Sequence, residues 1–110
     1  MTVNETSDRI VVRLPERCEI AEAVSLHEAL ARHAADGRPL LVDWGDTTRL
    51  HTAAVQTLVA AAQDRESRGH AFAVTAPGPD LAPWLDGIGV RTWVDRWATG
   101  NASTREQGDE

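Results

Sequence analysis

Histidine and acidic side chains close together in a sequence are the first candidates for metal chemistry. His27, Glu28 and His33 form such a group in this 110-residue chain. A zinc-binding helix needs its two histidines four residues apart, so that both lie on one face. The spacing of His27 and His33 places them about 120° apart around a helix. We therefore predict no metal site, with His27 solvated and His33 partly packed.

Nucleophilic side chains are present, but they lack the neighbours that would activate them. Cys18 borders a predicted strand, which favours a packed, inert thiol. The segment Gly87-Ile88-Gly89 follows a helix and does not join a strand to one, so it is not a dinucleotide-binding loop. None of the serines lies in a nucleophile elbow: Ser7, Ser25, Ser67 and Ser103. With no nucleophile–base pair visible, we predict a protein that is not an enzyme and needs no cofactor.

A threonine at the start of a helix is the remaining polar group of interest. Thr52 opens the most regular helical pattern of the chain, Thr52–Arg68. Threonine is a good N-cap residue, whose side chain stabilises a helix by about 1 kcal/mol. The preceding His51 is interpreted as an exposed loop residue, with a pH-sensitive neighbour of Thr52 as the alternative.

The two faces of this helix differ. Four apolar residues at helical spacing predict the face that packs on the core: Val55, Leu58, Val59 and Ala62. The opposite face is small and nearly flat: Ala53, Thr57, Ala60 and Asp64. Its alanines reflect either high helix propensity or a surface on which a partner packs closely.

The elements around this helix alternate between strand and helix. The patterns predict strands over Arg9–Leu14, Pro39–Trp44 and Ala71–Thr75, and helices over Ile20–Ala35, Thr52–Arg68 and Leu81–Asp86. Such alternation predicts an α/β domain with parallel strands covered by helices. We expect Leu40–Trp44 and Ala71–Thr75 to be adjacent central strands, buried on both faces. A last short element is predicted over Ile88–Val94, followed by a Trp93/Trp97 pair that covers the core or lies at a dimer contact.

Length, composition and charge restrict the partners. Hydrophobic residues make up 42% of the chain and charged residues 25%, as in a soluble globular domain. The net charge of −6 and the scattered arginines exclude nucleic acid as a partner. The longest uncharged apolar run, Thr52–Gln63, is too short and too polar for membrane insertion. A single cysteine suits the cytoplasm. We expect a flexible N-terminus over 1–8, one domain over 9–98 and a disordered acidic tail over 99–110.

The stretch 41–58 resembles the core of a STAS domain. In that family a buried strand ends in Val-Asp, here Val42-Asp43. A short loop and an apolar residue follow, and then Asp-Ser-Ser-Gly or Asp-Thr-Ser-Gly opens an amphipathic helix. Here that motif is His51-Thr52-Ala53-Ala54, which keeps only the hydroxyl. The breaker Ala76-Pro77-Gly78-Pro79 and the later Gly87-Ile88-Gly89-Val90 also resemble the family pattern.

The resemblance implies a single STAS-like domain with a mixed central sheet of four to five strands and helices packed on it. It also implies a non-catalytic, anti-sigma factor antagonist-like component of bacterial partner switching, with chemotaxis gene clusters among the settings. Thr52 is then the phosphoacceptor candidate. The N-terminus and outer face of the helix bind the partner: His51, Thr52, Ala53, Gln56, Thr57 and Ala60.

Two partners follow from the same resemblance. The first is a kinase-like ATPase that acts as an anti-sigma factor, and the second is a subunit of a phospholipid-transport ABC system, for which this chain would be an accessory. His51 replaces the acid of the family motif, and this replacement affects the expected phosphorylation more than the expected fold. We expect a monomer or a weak homodimer.

Overall fold

The computed structural model describes residues 1–89 together with Val94, Arg96 and Trp97. Its elements follow in chain order: β1 (Thr2–Glu5), β2 (Ile10–Arg13), β3 (Arg17–Cys18), α1 (Ile20–Arg32), β4 (Leu40–Asp43), β5 (Arg49–Leu50), α2 (Thr52–Ser67), β6 (Phe72–Val74) and α3 (Leu81–Gly87). The predicted α/β alternation is confirmed. No helix in this described part is long and apolar enough to cross a bilayer. The predictions for Trp93 and for the tail 99–110 fall outside the described residues.

The main sheet is mixed, with strand order β1-β2-β4-β6. β2, β4 and β6 are parallel neighbours, joined by crossovers through α1 and α2. Because such crossovers are right-handed and both move in the same direction across the sheet, α1 and α2 lie on the same face. The predicted pairing of the β4 and β6 segments is confirmed, although β6 is an edge strand and not a central one.

Within the described residues, the parallel strands are covered on one face only. Ile10 and Val12 of β2 are buried, whereas Val11 between them is half-buried. In β4, Leu40 and Val42 are buried, and the residues between and after them are half-buried. The prediction that β4 is buried on both faces is therefore wrong. The helices cover the face of Ile10, Val12, Leu40 and Val42, and the alternation follows from that one-sided cover.

The N-terminus is structured where a flexible segment was expected. Residues Thr2–Glu5 form β1, which pairs antiparallel with β2. A tight turn joins the two strands: the Thr6 amide donates to the carbonyl of Arg9, and the Thr6 hydroxyl accepts the amide of Arg9 at 3.1 Å. Only Val3 of β1 is partly buried. Since a mostly exposed edge strand has little apolar periodicity, the sequence pattern missed it.

The two long helices pack on the sheet, and α2 does so largely with the face that the sequence predicts. In α1, Ala23, Leu26, Ala29 and Leu30 are buried. In α2, three of the four predicted core residues are buried and Val59 is half-buried. The helix ends as predicted before Gly69, which has a φ of 74° that a residue with a Cβ rarely adopts.

A second, two-stranded sheet lies in segments for which the sequence pattern predicts neither a strand nor a helix. β3 and β5 pair in parallel, with Cys18 opposite Leu50. Each of these short strands leads directly into a long helix, α1 and α2 respectively. The pairing therefore places the N-termini of α1 and α2 side by side, near the carboxyl ends of the parallel strands of the main sheet.

Candidate functional site

The start of α2 is held in place by its backbone. The amide of His51 donates to the carbonyl of Cys18 at 2.8 Å, which ties this point to the entry of α1. The carbonyl of Leu50, on the same peptide unit, accepts the indole Nε1–H of Trp84 at 2.9 Å. Because N–H and C=O of a trans peptide point in opposite directions, Cys18 and Trp84 lie on opposite sides of this peptide.

His51 is the N-cap of α2, a role that the sequence pattern gives to Thr52. The backbone of His51 is extended, with φ −61° and ψ 145°, and its Nδ1 accepts the amide of Ala53 at 3.0 Å. Thr52 is already the first helical residue. The prediction that Thr52 caps the helix is wrong, and so is the interpretation of His51 as an exposed loop residue, since it is half-buried. An imidazole nitrogen supplies the acceptor here in place of the usual oxygen.

The Thr52 side chain is thereby left without a structural task in the described part of the chain. It is exposed, and its hydroxyl makes no hydrogen bond with any described residue. It lies in the first turn of a 16-residue helix, where backbone N–H groups and the helix dipole favour an anion. A phosphate on this hydroxyl would be compatible with the fold.

The predicted partner face of α2 is less flat and less exposed than expected. Gln56 and Ala60 are exposed, but Ala53 and Thr57 are half-buried. Ala53 packs against the core, and the Thr57 hydroxyl donates to the Ala53 carbonyl at 2.9 Å. Sequence reasoning missed the neighbour of this face, because side-by-side packing of two helices is not visible in the pattern of either one. The result is a groove between α1 and α2, lined by His27, Ala31, Thr57, Ala60, Ala61 and Asp64.

Cys18 is buried beside this site. Its exposed fraction is 1%, and burial, together with nearby carboxylates, raises the pKa of its thiol from 9.0 to about 11. The thiolate is therefore a minor species at neutral pH. This agrees with the predicted inert thiol.

One group of metal-ligating side chains does come together, away from α2. Oxygen and nitrogen atoms of Glu5, His33 and Asp36 lie within 4.8 Å of one another. The guanidinium of Arg38 already binds both carboxylates, at 2.8 Å to Glu5 and 2.6 Å to Asp36. Hydrogen bonds from Arg38 hold the pKa of Asp36 well below its usual range. This arrangement fits an ion-pair network that fastens β1 to the end of α1. Sequence reasoning missed the network because it treated Glu5 as part of a flexible end.

These features define a small α/β domain with an exposed hydroxyl at the start of a helix, two residues after a carbonyl that binds a tryptophan. Over residues 1–94 the chain matches the family model described as "Mlab, STAS domain". The chain belongs to the STAS domain family. No curated protein matches it significantly.

Solved structures agree on the fold. The anti-sigma factor antagonist SpoIIAA in its unphosphorylated form aligns with a TM-score of 0.72 at 10% identity, over 89% of this chain and 84% of that one. The phosphorylated form of SpoIIAA, described as a Bacillus cell fate determinant, aligns with a TM-score of 0.69 at 11% identity, over 89% and 87%. The Thermotoga maritima protein TM1081 aligns with a TM-score of 0.68 at 15% identity, over 88% and 76%. At such identities the likeness concerns the fold, and the predicted mixed STAS-like sheet is confirmed.

Proposed function

We propose that this chain is a cytoplasmic, non-catalytic binding protein of the anti-sigma factor antagonist type, which binds a protein partner through the N-terminus and outer face of α2. The observation that carries the proposal is the Thr52 side chain. It is exposed at the helix start, and His51 performs the capping that would otherwise explain it. The contact residues are His51, Thr52, Ala53, Gln56, Thr57 and Ala60.

Phosphorylation of Thr52 would act on the complex more than on the fold. A phosphate adds about two negative charges at neutral pH, and the first turn of α2 accommodates them through its N–H groups and dipole. Gln56 and Ala60, the exposed residues of the outer face, offer no cation to neutralise that charge. A partner packed closely on this face would have to bury an unpaired dianion, and the complex would dissociate. The structures of SpoIIAA in unphosphorylated and phosphorylated forms are consistent with such a switch in this fold.

The alternative partner is a subunit of a phospholipid-transport ABC system, for which Thr52 is a contact and not a phosphoacceptor. The observation that favours this partner is the residue type at the N-cap of α2, which is His51. The family motif has an acid where this chain has His51, so a kinase that recognises that acid would not recognise this chain. Neighbouring genes separate the two: a kinase-like ATPase and a sigma factor favour the switch, and a permease with a lipid-binding protein favours the transporter.

The test compares phosphorylation and binding in the same variants. Intact-mass analysis of the chain from its own cells, with and without phosphatase, should reveal one phosphate that Thr52→Ala removes. In titrations with the purified partner, Thr52→Asp should abolish binding and Thr52→Ala should retain it. Gln63→Asp is the matched control, because Gln63 is exposed on the same helix and the charge is equal. If Thr52→Asp and Gln63→Asp bind like the parent protein, the start of α2 is not the contact.

A further inference from the structure

The large exposed hydrophobic side chains of the described residues are few, and three of them lie on α1 and α3, the helices that contact α2 and β5. Ile20 is 61% exposed, Val24 is 55% exposed and Trp84 is 40% exposed. The fourth, Met1, is the first residue of the chain. Single exposed apolar residues need no explanation, but a group of them around a candidate contact site marks an interaction surface.

Ile20 and Val24 lie on the same side of α1, next to the entry of α2. They are the first and fifth residues of α1, one helical turn apart, so their side chains adjoin. The His51–Cys18 hydrogen bond and the β3–β5 pairing fix the start of α1 beside the start of α2. The groove between the helices continues this surface toward His27 and Ala31 of α1.

Trp84 lies on the side of the Leu50–His51 peptide that is opposite to Cys18 and the start of α1. Its Nε1–H is held by the Leu50 carbonyl at 2.9 Å, so one orientation of the indole is fixed although the ring is exposed. A side chain that is ordered before binding loses little entropy on binding. Tryptophan is also enriched among the residues that contribute most to binding energy. Thr52 begins α2 directly after His51, whose peptide bond to Leu50 has Trp84 on one side and Cys18 on the other.

Carboxylates outnumber arginines among the exposed side chains around this surface. Four exposed carboxylates lie in the connections that follow the parallel strands or directly before α1: Glu16, Glu19, Asp46 and Asp80. Glu16, Asp46 and Asp80 line one hollow together. Three exposed arginines lie in this region: Arg13 lines a hollow with Glu16 and Asp46, Arg17 is bound to Glu19 at 3.3 Å, and Arg49 belongs to β5.

We propose that Ile20, Val24 and Trp84 form, with Thr52 between them, the apolar contact surface for a protein partner that carries an apolar patch surrounded by basic residues. The inference rests on the proposed function and extends it beyond α2. Charge complementarity selects the occupant, because the acidic rim would repel a second copy of this chain and an anionic membrane surface. A phosphate on Thr52 would then enter the apolar centre of the contact, away from the basic rim of the partner.

Site-specific photocrosslinking in the source cell identifies the occupant. A benzophenone amino acid replaces Val24, Trp84 or Gln56 in turn. Ala35 and Ser67 serve as controls because both are exposed and far from the start of α2: Ala35 lies in the turn after α1, and Ser67 is the last residue of α2. We expect positions 24, 84 and 56 to crosslink the same protein, through peptides rich in lysine or arginine, and positions 35 and 67 not to crosslink it.

Titration with that purified partner completes the test. Val24→Asp should weaken binding at least about tenfold, because it buries an unpaired charge, and Ser67→Asp should not. Asp46→Arg should weaken binding as well, because it removes an attraction at the rim. Equal unfolding midpoints of the three variants and the parent protein exclude a folding defect.

The outcomes distinguish the two proposals. Crosslinks from position 56 without crosslinks from 24 and 84 would overturn this inference and leave the proposed function intact. Crosslinks from 24 and 84 to a second copy of the chain, or tighter partner binding by Asp46→Arg, would overturn the choice of occupant. No crosslink from any position would overturn both proposals.

Discussion

The Nδ1 atom of His51 accepts the amide of Ala53 at 3.0 Å, and this single hydrogen bond separates the capping of α2 from the chemistry of Thr52. We expect His51→Ala to lower the free energy of unfolding by about 1 kcal/mol, as for other lost N-caps. Thr52→Ala should change it by less than about 0.5 kcal/mol, as for other exposed residues. Urea unfolding of both variants measures the difference. A larger loss in Thr52→Ala than in His51→Ala would contradict the assignment of the cap.

His51→Asp provides the complementary variant. Aspartate is also a good N-cap, so the stability of the parent protein should be retained. The variant restores the acid that the family motif has at this position. If the kinase-like ATPase proposed as the partner recognises that acid, it should phosphorylate Thr52 faster in His51→Asp than in the parent protein, in the same in vitro assay.

Arg65 is a buried arginine whose hydrogen bonds with the described residues all go to carbonyl groups, and we expect it to be essential for stability. It is 2% exposed and donates to the carbonyls of His33, Arg38 and Ala71. Burial lowers the pKa of its guanidinium. Arg65→Leu leaves buried acceptors unpaired and should cost at least about 2 kcal/mol in urea unfolding.

Arg68→Leu is the control on the same helix. Arg68 is exposed and its ion pair with Asp64, at 3.0 Å, connects successive turns of α2. Such pairs stabilise a helix by about 0.3–0.5 kcal/mol, so this variant should lose no more than that. Equal losses in the two variants would show that the carbonyl contacts of Arg65 contribute nothing specific.

The Cys18 thiol should resist alkylation until the protein unfolds. Burial raises its pKa from 9.0 to about 11, so the folded state keeps the thiol protonated where the unfolded state begins to lose its proton. This contribution to stability is fully present below pH 9 and is lost as the pH rises toward about 11. Iodoacetamide labelling followed by mass spectrometry, in buffer and in urea at pH 8, measures the protection. Equal labelling rates in both conditions would contradict it.

Ala60 offers a test of the groove between α1 and α2. Ala60→Arg should fold normally because Ala60 is exposed, and it should weaken partner binding because a long charged side chain blocks the wall of the groove. Gln63→Arg adds the same charge to an exposed position on the same helix and should bind normally. Titration of both variants with the purified partner gives the comparison. If both bind equally well, the partner does not contact this groove.

Much of the fold could be predicted because its signals are local and repeated. The buried face of α2 repeats Val55, Leu58 and Ala62 at helical spacing, and the glycine at position 69 ends the helix in the expected conformation. β1 could not be predicted in this way. Only Val3 of that strand packs against the core, and its pairing with β2 depends on backbone hydrogen bonds that no side-chain pattern reports.

The candidate site was predicted in position but not in detail. The sequence places Thr52 at the start of a helix, and the structure does the same. Which residue caps that helix depends on the backbone angles of His51, and a one-residue shift in the helix start exchanges the roles of the two residues. The contribution of Trp84 depends on the Leu50 carbonyl, 34 positions away in the sequence, and no spacing rule connects them.

The hairpin of β1 and β2 has a consequence for the order in which the chain folds. Its Thr6 turn is closed by contacts between residues three positions apart, and hairpins of this kind form in about 1–10 μs. The parallel pairing of β2 with β4 has to wait for the whole α1 crossover, which makes it a slower, non-local step. During that interval β1 occupies one edge of β2. The segment with the weakest sequence pattern thus leaves only one edge of the apolar strand β2, the edge that β4 later takes, open to pairing with a neighbouring chain.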